Sequence, residues 1–343
     1  MTSIKDVARE VGVSTATVSR ALRGLPRVSD ETRSRVMAAA AELDYVASPT
    51  AAGLASGQTR AVGVIVPFVT RWFFATVISG AERVLREAGY DLLLYNLAGS
   101  RAARDRVFRG HLLRKRVDAV LVLSLAPTAE EIAGLGKLHR PVAVVGATVP
   151  GWGSVRIDDQ ATARIAMHHL LDLGHRRIAY IGGSLEDVLD FAAPLDRLTG
   201  YRQAMGEAGL PVHPEWETVS DFTVRGGLAA MRLLLESEER PTAVFAASDE
   251  MAIGAVHAVR EAGLRVPEDI SVISIDDHEM AEFFGLTTVA QPVLDQGQLA
   301  ADLLLESLAA SRANADPPAP RLVTVNTRLV LRRTTAPASE GRS

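Results

Sequence analysis

The 343-residue chain predicts two units of different class, a small all-α head of about 60 residues and a large α/β body of two lobes, each a doubly wound parallel sheet. Three observations carry this. The N-terminus holds three short stretches at helical spacing, each opened by a serine cap. From Ala61 onward, short β-rich apolar runs alternate with amphipathic helical stretches, the pattern of a parallel sheet covered by helices. There are more such runs than one sheet accommodates, and the remaining length suits two subdomains of about 130 residues each.

In the head, Ser3 precedes Ile4-Lys5-Asp6, so a capping box with Asp6 opens a first helix that runs to about Val11. Gly12 supplies the positive φ of a tight turn. Ser14 caps a second helix, Thr15 to Leu22, whose Val18, Ala21 and Leu22 face inward, and Ser29 opens a third through about Asp44. The spacing is that of a helix-turn-helix. In that motif the second helix enters the DNA major groove with its N-terminal residues at base edges, which selects Ser14, Thr15, Ala16, Thr17, Ser19 and Arg20. Arg20 is the natural bidentate partner for guanine, with a phosphate contact as its alternative, while Thr15 and Ala16 offer methyl contacts to thymine. The head spans 1–47. A linker at 48–59 is too short and too glycine-punctuated to hold a helix alone, and is expected to order on DNA.

Candidate strands of the body are Ala61–Pro67, Asp91–Asn96, Ala119–Ser124, Pro141–Ala147, Arg177–Gly183, Thr242–Ser248 and Ser271–Asp276, with a final strand or pair of strands in Arg321–Arg333. The polar segment 334–343 is expected to be disordered.

Composition narrows the function. Residues 1–60 carry eight basic against six acidic side chains and the remainder 29 against 35. The asymmetry has the sign for nucleic acid but is modest, so binding is expected to rest on dimerisation and oriented phosphate contacts. Cysteine is absent, which excludes disulfides and thiolate chemistry. The N-terminus lacks an apolar signal segment and no apolar run approaches membrane-spanning length, so a cytoplasmic protein without a membrane partner is expected. A Gly-x-Gly-x-x-Gly after a strand, a phosphate loop, a nucleophile elbow and a His-Glu-x-x-His are all missing, so neither an enzyme nor a cofactor is expected. His168, His169 and His175 cluster in sequence, but adjacent helical histidines diverge, and structural roles are expected rather than a metal site.

Ile4-Lys5-Asp6-Val7-Ala8, Gly12-Val13-Ser14, Thr17-Val18-Ser19-Arg20-Ala21-Leu22, Val28-Ser29 and Leu43-Asp44-Tyr45, followed by the linker and the α/β repeat, resemble the lactose/galactose repressor family of bacterial transcription regulators over nearly the whole chain. The resemblance implies a periplasmic-binding-protein-like body at 60–333, which binds an effector and dimerises. It implies chain crossovers near Ile157 and Val289 and a third pass after Pro320, giving an N-subdomain of about 60–157 and 290–320 and a C-subdomain of about 158–289 and 321–333. It further implies paired hinge helices in the minor groove, with Leu54 as the wedge that kinks a central CpG step. Gly53 departs from the family's larger residue and weakens a hinge helix by about 1 kcal/mol relative to alanine. Tetrameric members carry a C-terminal leucine heptad, and none follows Arg333, so a homodimer on a pseudo-palindromic double-stranded operator is expected.

Loops at strand ends carry ligands in such sheets. Arg71-Trp72-Phe73-Phe74, three consecutive aromatics after the first strand, are candidates to stack on a sugar face, with core packing as the alternative for each. Phe73 and Phe74 match the family's stacking pair, and Trp72 stands where proline is common. Arg197 matches the arginine of an Arg-x-x-Gly-aromatic signature that points into the cleft. Ser248 replaces the family's asparagine beside Asp249, Phe222 matches a further stacking position, and Asp276 matches the effector-binding aspartate. Asp277 has a helix cap as its alternative, and Asp158 and Asp159 fall at a crossover as hinge or cleft residues. The function expected is a repressor of carbohydrate-utilisation genes controlled by a small sugar in the cleft, with a purine- or nucleoside-responsive or corepressor-dependent regulator as alternative. A transport-type sugar receptor is disfavoured by the head.

Overall fold

The computed structural model describes residues 2–45, 58–109, 113–184 and 193–338, in two compact units that divide after Arg60. In the first unit α1 (Ile4–Val11), α2 (Thr15–Leu22) and α3 (Asp30–Glu42) enclose Val7, Val11, Val18, Ala21, Val36 and Ala39. The Asp6 carboxylate accepts from the Ser3 backbone N–H at 3.0 Å and from its hydroxyl at 2.7 Å, which fixes the start of α1. Gly12, at φ 73°, ends it. Ser14 accepts from the Thr17 N–H at 3.1 Å and Ser29 from that of Thr32 at 3.3 Å. Two arginines of α3 close the other helix ends. Arg33 donates to the carbonyls of Ala21 and Leu25, and Arg35 to that of Val11, so groups that a short helix leaves without partners are bonded by side chains.

The second unit starts with β1 (Ala61–Val66), α4 (Trp72–Glu87), β2 (Asp91–Asn96), α5 (Arg101–Phe108), β3 (Ala119–Leu123), α6 (Ala129–Gly136), β4 (Val142–Val145) and β5 (Gly153–Ile157). The chain then builds a second lobe from α7 (Asp159–Asp172), β6 (Ile178–Gly183), α8 (Ala193–Glu207), β7 (Glu217–Ser220), α9 (Val224–Leu235), β8 (Ala243–Ala246), α10 (Asp249–Glu261), β9 (Ser271–Asp276), α11 (Ala281–Phe284) and β10 (Thr287–Ala290). It returns to the first lobe through α12 (Val293–Arg312) and β11 (Leu322–Val325), and β12 (Arg328–Val330) closes the second sheet.

The two sheets share one topology, β2-β1-β3-β4-β5-β11 and β7-β6-β8-β9-β10-β12. Every neighbour pair is parallel except β10 and β12. Central strands such as Ala61–Val66 and Ala119–Leu123 are buried throughout, because helices cover both faces. The ligand cleft of such sheets lies beyond the carboxyl ends of the strands, and three chain crossings, at 158, 291–292 and 326–327, run beside it.

Several boundaries differ from the sequence reading. Strands β5, β7 and β10 were not among the expected ones, since each has only four or five residues and polar members that blur the apolar run. The third crossing falls after Val325, not directly after Pro320, because Leu322–Val325 pairs with Ser154–Ile157 in the first sheet. The expected disorder from 334 is contradicted as far as Ala338. Thr334 is 2% exposed, its hydroxyl donates to the Val272 carbonyl at 2.7 Å and accepts from the Thr287 N–H at 2.8 Å, and the Ala338 N–H reaches the Leu173 carbonyl. A polar composition conceals this segment because its hydroxyls bond backbone inside the lobe instead of water.

In each lobe a helix pair packs backbone to backbone through a glycine on both helices, Gly80 and Gly297 between α4 and α12, Gly227 and Gly254 between α9 and α10. A methyl group at Gly297 would overlap the Val77 carbonyl. Gly297→Ala is expected to cost about 1–3 kcal/mol through overpacking, read as a lower midpoint in thermal denaturation. An unchanged midpoint would mean that the α4–α12 contact has slack.

Candidate functional site

Two sites emerge, one in each unit. On the head, Ser14, Thr15, Ala16 and Arg20 are exposed and Thr17 and Ser19 half-buried, while Val18 and Ala21 of the same helix are in the core. One face of α2 is thus a continuous polar strip held by the Ser14 cap and the Arg33 clamp. Among the described residues Arg20 makes no hydrogen bond or ion pair, so its guanidinium is unengaged. Leu54 and Gly53 lie outside the described residues.

In the body, a cavity of about 410 Å³ opens between the carboxyl ends of the two sheets. Phe73 and Phe74, from the start of α4, meet edge to face at 5.4 Å and form one wall with Phe68. Phe222 forms part of the opposite wall, held at φ 59° after β7 with its ring directly above Gly183, where any side chain would displace it. Ser124 and Asp276 also have positive φ, 48° and 134°, so non-glycine residues in strained backbone gather at this rim.

Arg197, near the start of α8, is the buried centre of the site. Its Nε donates to the Asp159 carboxylate at 2.8 Å and its Nη1 to the Ala247 carbonyl at the end of β8. Desolvation works against its charge, but the Asp159 and Asp276 carboxylates outweigh it and hold the guanidinium above its usual pKa. Burial pushes Asp159 above the ordinary carboxyl value, with Arg197 opposing. The two crossover aspartates therefore divide the roles left open by the sequence. Asp158 caps α7 by accepting from the Ala161 N–H at 3.0 Å, and Asp159 lines the cleft.

Asp276 closes β9 and is pushed up by burial, with Arg197 opposing. It accepts from Gln291 Nε2 at 2.6 Å, and the Gln291 side-chain oxygen accepts from Gln296 Nε2 at 2.9 Å. This relay joins the second lobe to α12 of the first across a crossover. Arg71 donates to the Asp221 carbonyl, and Trp72 packs on His278 at 4.7 Å, so two further contacts also span the lobes.

Of the residues selected from sequence, the fold brings Phe73, Phe74, Arg197, Phe222, Ser248 and Asp276 to the cavity. Ser248 also caps α10 through the Met251 N–H at 3.4 Å. Trp72 and Asp249 stand elsewhere. Trp72 is turned against His278, because consecutive residues at a helix start point about 100° apart. Asp249 is 0% exposed and accepts from the Ser274 and Thr288 hydroxyls and the His278 N–H, an internal staple of the second lobe. Asp277 is not a helix cap but pairs with Arg332 at 2.6 Å. His175 bonds Thr242, Ser271 and the Ala336 carbonyl, and His169 bonds Thr335. Sequence reasoning missed Phe68, Ser124, Glu250, Gln291 and Gln296. A polar residue at the end of an expected strand was the available signal at Ser124, whereas Gln291 follows β10, a strand that the sequence did not reveal. No helix among the described residues is long and apolar enough to cross a membrane.

Glu250 faces the cavity beside Asp276, and burial followed by the Asp276 charge pushes it from 4.5 up to about 7. A carboxyl with a raised folded pKa is neutral in the native state below that value. Its cost to stability begins as pH rises past the unfolded value and is complete above the folded one. Glu250→Gln is expected to stabilise the fold at pH 8 by about 1 kcal/mol after discounting for solvent contact, read as a higher thermal midpoint, with the gain shrinking toward pH 5. A gain independent of pH would assign it to packing instead.

Comparison with known proteins bears on both sites. Residues 3–48 match the family of bacterial regulatory proteins of the lacI type, and residues 167–335 match the periplasmic binding protein-like domain. The chain is 36% identical to catabolite control protein A of Priestia megaterium over 88% of its length and 91% of that protein. A transcriptional regulator CelR–cellobiose complex superposes with TM-score 0.72 at 32% identity, covering 97% of this chain and all of that one. The lac repressor dimer bound to operator and an anti-inducer superposes with TM-score 0.83 at 28% identity, covering 98% and 99%. The exposed face of α2, the two-lobed body and these matches along most of the chain place it in the lacI family of bacterial regulatory proteins.

Proposed function

We propose that the chain is a transcriptional repressor that binds a pseudo-palindromic operator as a homodimer and releases it when a small sugar occupies the cleft. The carrying observation is that aromatic faces from both lobes, Phe73, Phe74 and Phe222, enclose a cavity whose polar lining includes the hydroxyl acceptors Asp276 and Glu250. Apolar ring faces stack on aromatics while hydroxyls donate to carboxylates, a combination suited to a pyranose. The likeness to a cellobiose-bound regulator and to an operator-bound dimer supports the same reading. The protein acts by binding, not by catalysis, and works in the cytoplasm.

A ligand that contacts both lobes changes their closure, because Asp276 on one side and α12 on the other are joined through Gln291 and Gln296. On this reading, operator affinity follows the closure of the two lobes. Linkage requires that a sugar that weakens operator binding also binds the operator complex more weakly, by about 1–3 kcal/mol.

Operator selection from a random DNA pool at fixed salt, followed by titration with neutral sugars and nucleosides, tests the reading. Loss of an enriched palindrome with one sugar is the expected result. Response to nucleosides alone would replace the carbohydrate with a purine. Arg20→Ala is expected to relax preference at one base pair per half-site and cost about 1–3 kcal/mol. Equal weakening on every sequence would make Arg20 a phosphate contact.

A further inference from the structure

We propose that Trp72 and His278 form a latch between the two lobes, which is closed while the imidazole is neutral and opens when the ring takes a second proton. The latch concerns how the lobes are held, so it stands apart from the question of which ligand occupies the cleft.

Trp72 is the first residue of α4 and packs against the core of the first lobe, while His278 follows β9 in the second. Their ring centroids are 4.7 Å apart at an interplanar angle of 41°, and neither residue lines the cavity. Trp72 stands where the family commonly has proline, which offers no aromatic face, so the contact is particular to this chain. The His278 ring is fixed from its own loop. Its backbone N–H donates to Asp249 Oδ2 at 2.7 Å, and its Nδ1 accepts from the Met280 N–H at 2.9 Å. A ring nitrogen that accepts carries no proton, so the neutral ring holds its hydrogen on Nε2.

A second proton has only Nδ1 to go to, and there it meets the Met280 N–H, donor against donor. That hydrogen bond is lost and the ring must turn, which takes it off Trp72. Cation–π attraction holds an imidazolium over an indole only where the ring keeps its place, and the Met280 N–H forbids that place. The charged groups on the elements around His278 are Arg71 before α4, Asp249 and Glu250 on α10, Arg332 beyond β12, and Asp277, Glu279 and Glu282 on its own segment. Asp277 is paired with Arg332 at 2.6 Å, and Arg71 donates to the Asp221 carbonyl. Burial, opposed by Glu279, keeps the imidazole below its ordinary value of 6.5, so the contact is complete at neutral pH and is lost as pH falls through the lowered value.

The test follows tryptophan emission from pH 8 to pH 5 in the full-length protein carrying His213→Gln, because Trp216 packs on His213 at 4.6 Å and would report that histidine as well. The expected result is a shift to longer wavelength as Trp72 meets water, with a midpoint below 6.5, and Trp72→Leu should abolish it. In the same background His278→Asn should be red-shifted throughout and should not titrate, since an asparagine oxygen still accepts the Met280 N–H but presents no ring. Circular dichroism confirms that each variant is folded at both ends of the range. Hydrogen exchange at pH 7, comparing His278→Asn with its parent, reads the lobes without acid. Exchange should be several-fold faster around 68–71 and 221–223, where Arg71 meets Asp221 across the lobes. Emission that does not shift with pH, or that shifts equally in His278→Asn, would overturn the proton as the switch. Faster exchange confined to 277–281 would make the contact a support of its own loop and overturn the latch. Neither measurement involves ligand or DNA, so neither failure touches the repressor reading.

Discussion

The buried guanidinium of Arg197 is the constraint around which the body is organised. It joins the first residue of α7, where the chain has just crossed between lobes, to the end of β8. A charge in that position persists only if it is paired and its donors are satisfied. Asp159 is therefore the structural answer to Arg197, and removing either would leave an uncompensated buried charge. The same demand explains why Asp276, close enough to act on Arg197 electrostatically, is itself oriented by Gln291.

Around this centre the two lobes repeat one topology, and the crossings run beside the cleft. Arg71 to Asp221, Trp72 to His278 and the Gln296–Gln291–Asp276 relay are each local contacts between groups on different lobes. Packed interiors do not deform gradually, so a change at such contacts moves lobes as bodies. Glycine-mediated helix pairs in both lobes keep each body stiff while the crossings and the cleft contacts absorb the difference.

Much of the head was legible because its determinants are local. A serine cap, a glycine at φ 73° and an apolar face at helical spacing act within one or two turns, and the three helices follow from them. Long apolar strands were legible for a similar reason, since burial on both faces leaves an uninterrupted run. Short β5, β7 and β10 lack that run. The cleft was legible in part: Arg197, Phe222 and Asp276 stood at strand ends or helix starts, where position implies a ligand. Trp72 and Asp249 share those addresses and point elsewhere, while their neighbours Phe73 and Glu250 face the cavity.

The sequence by itself determined the helical head, the alternation that makes parallel sheets and the division into units, because these depend on interactions among residues near in the chain. Only the tertiary structure decided which lobe each short strand joins, that Thr334 is buried, and which of two adjacent side chains enters the cleft. Those outcomes depend on pairings between residues as far apart as Arg71 and Asp221, or Ser271 and Ala336. A one-residue change of direction at a helix start reverses which groups are desolvated. Local propensity has no information about that, because the energy that decides it belongs to the partner across the cleft.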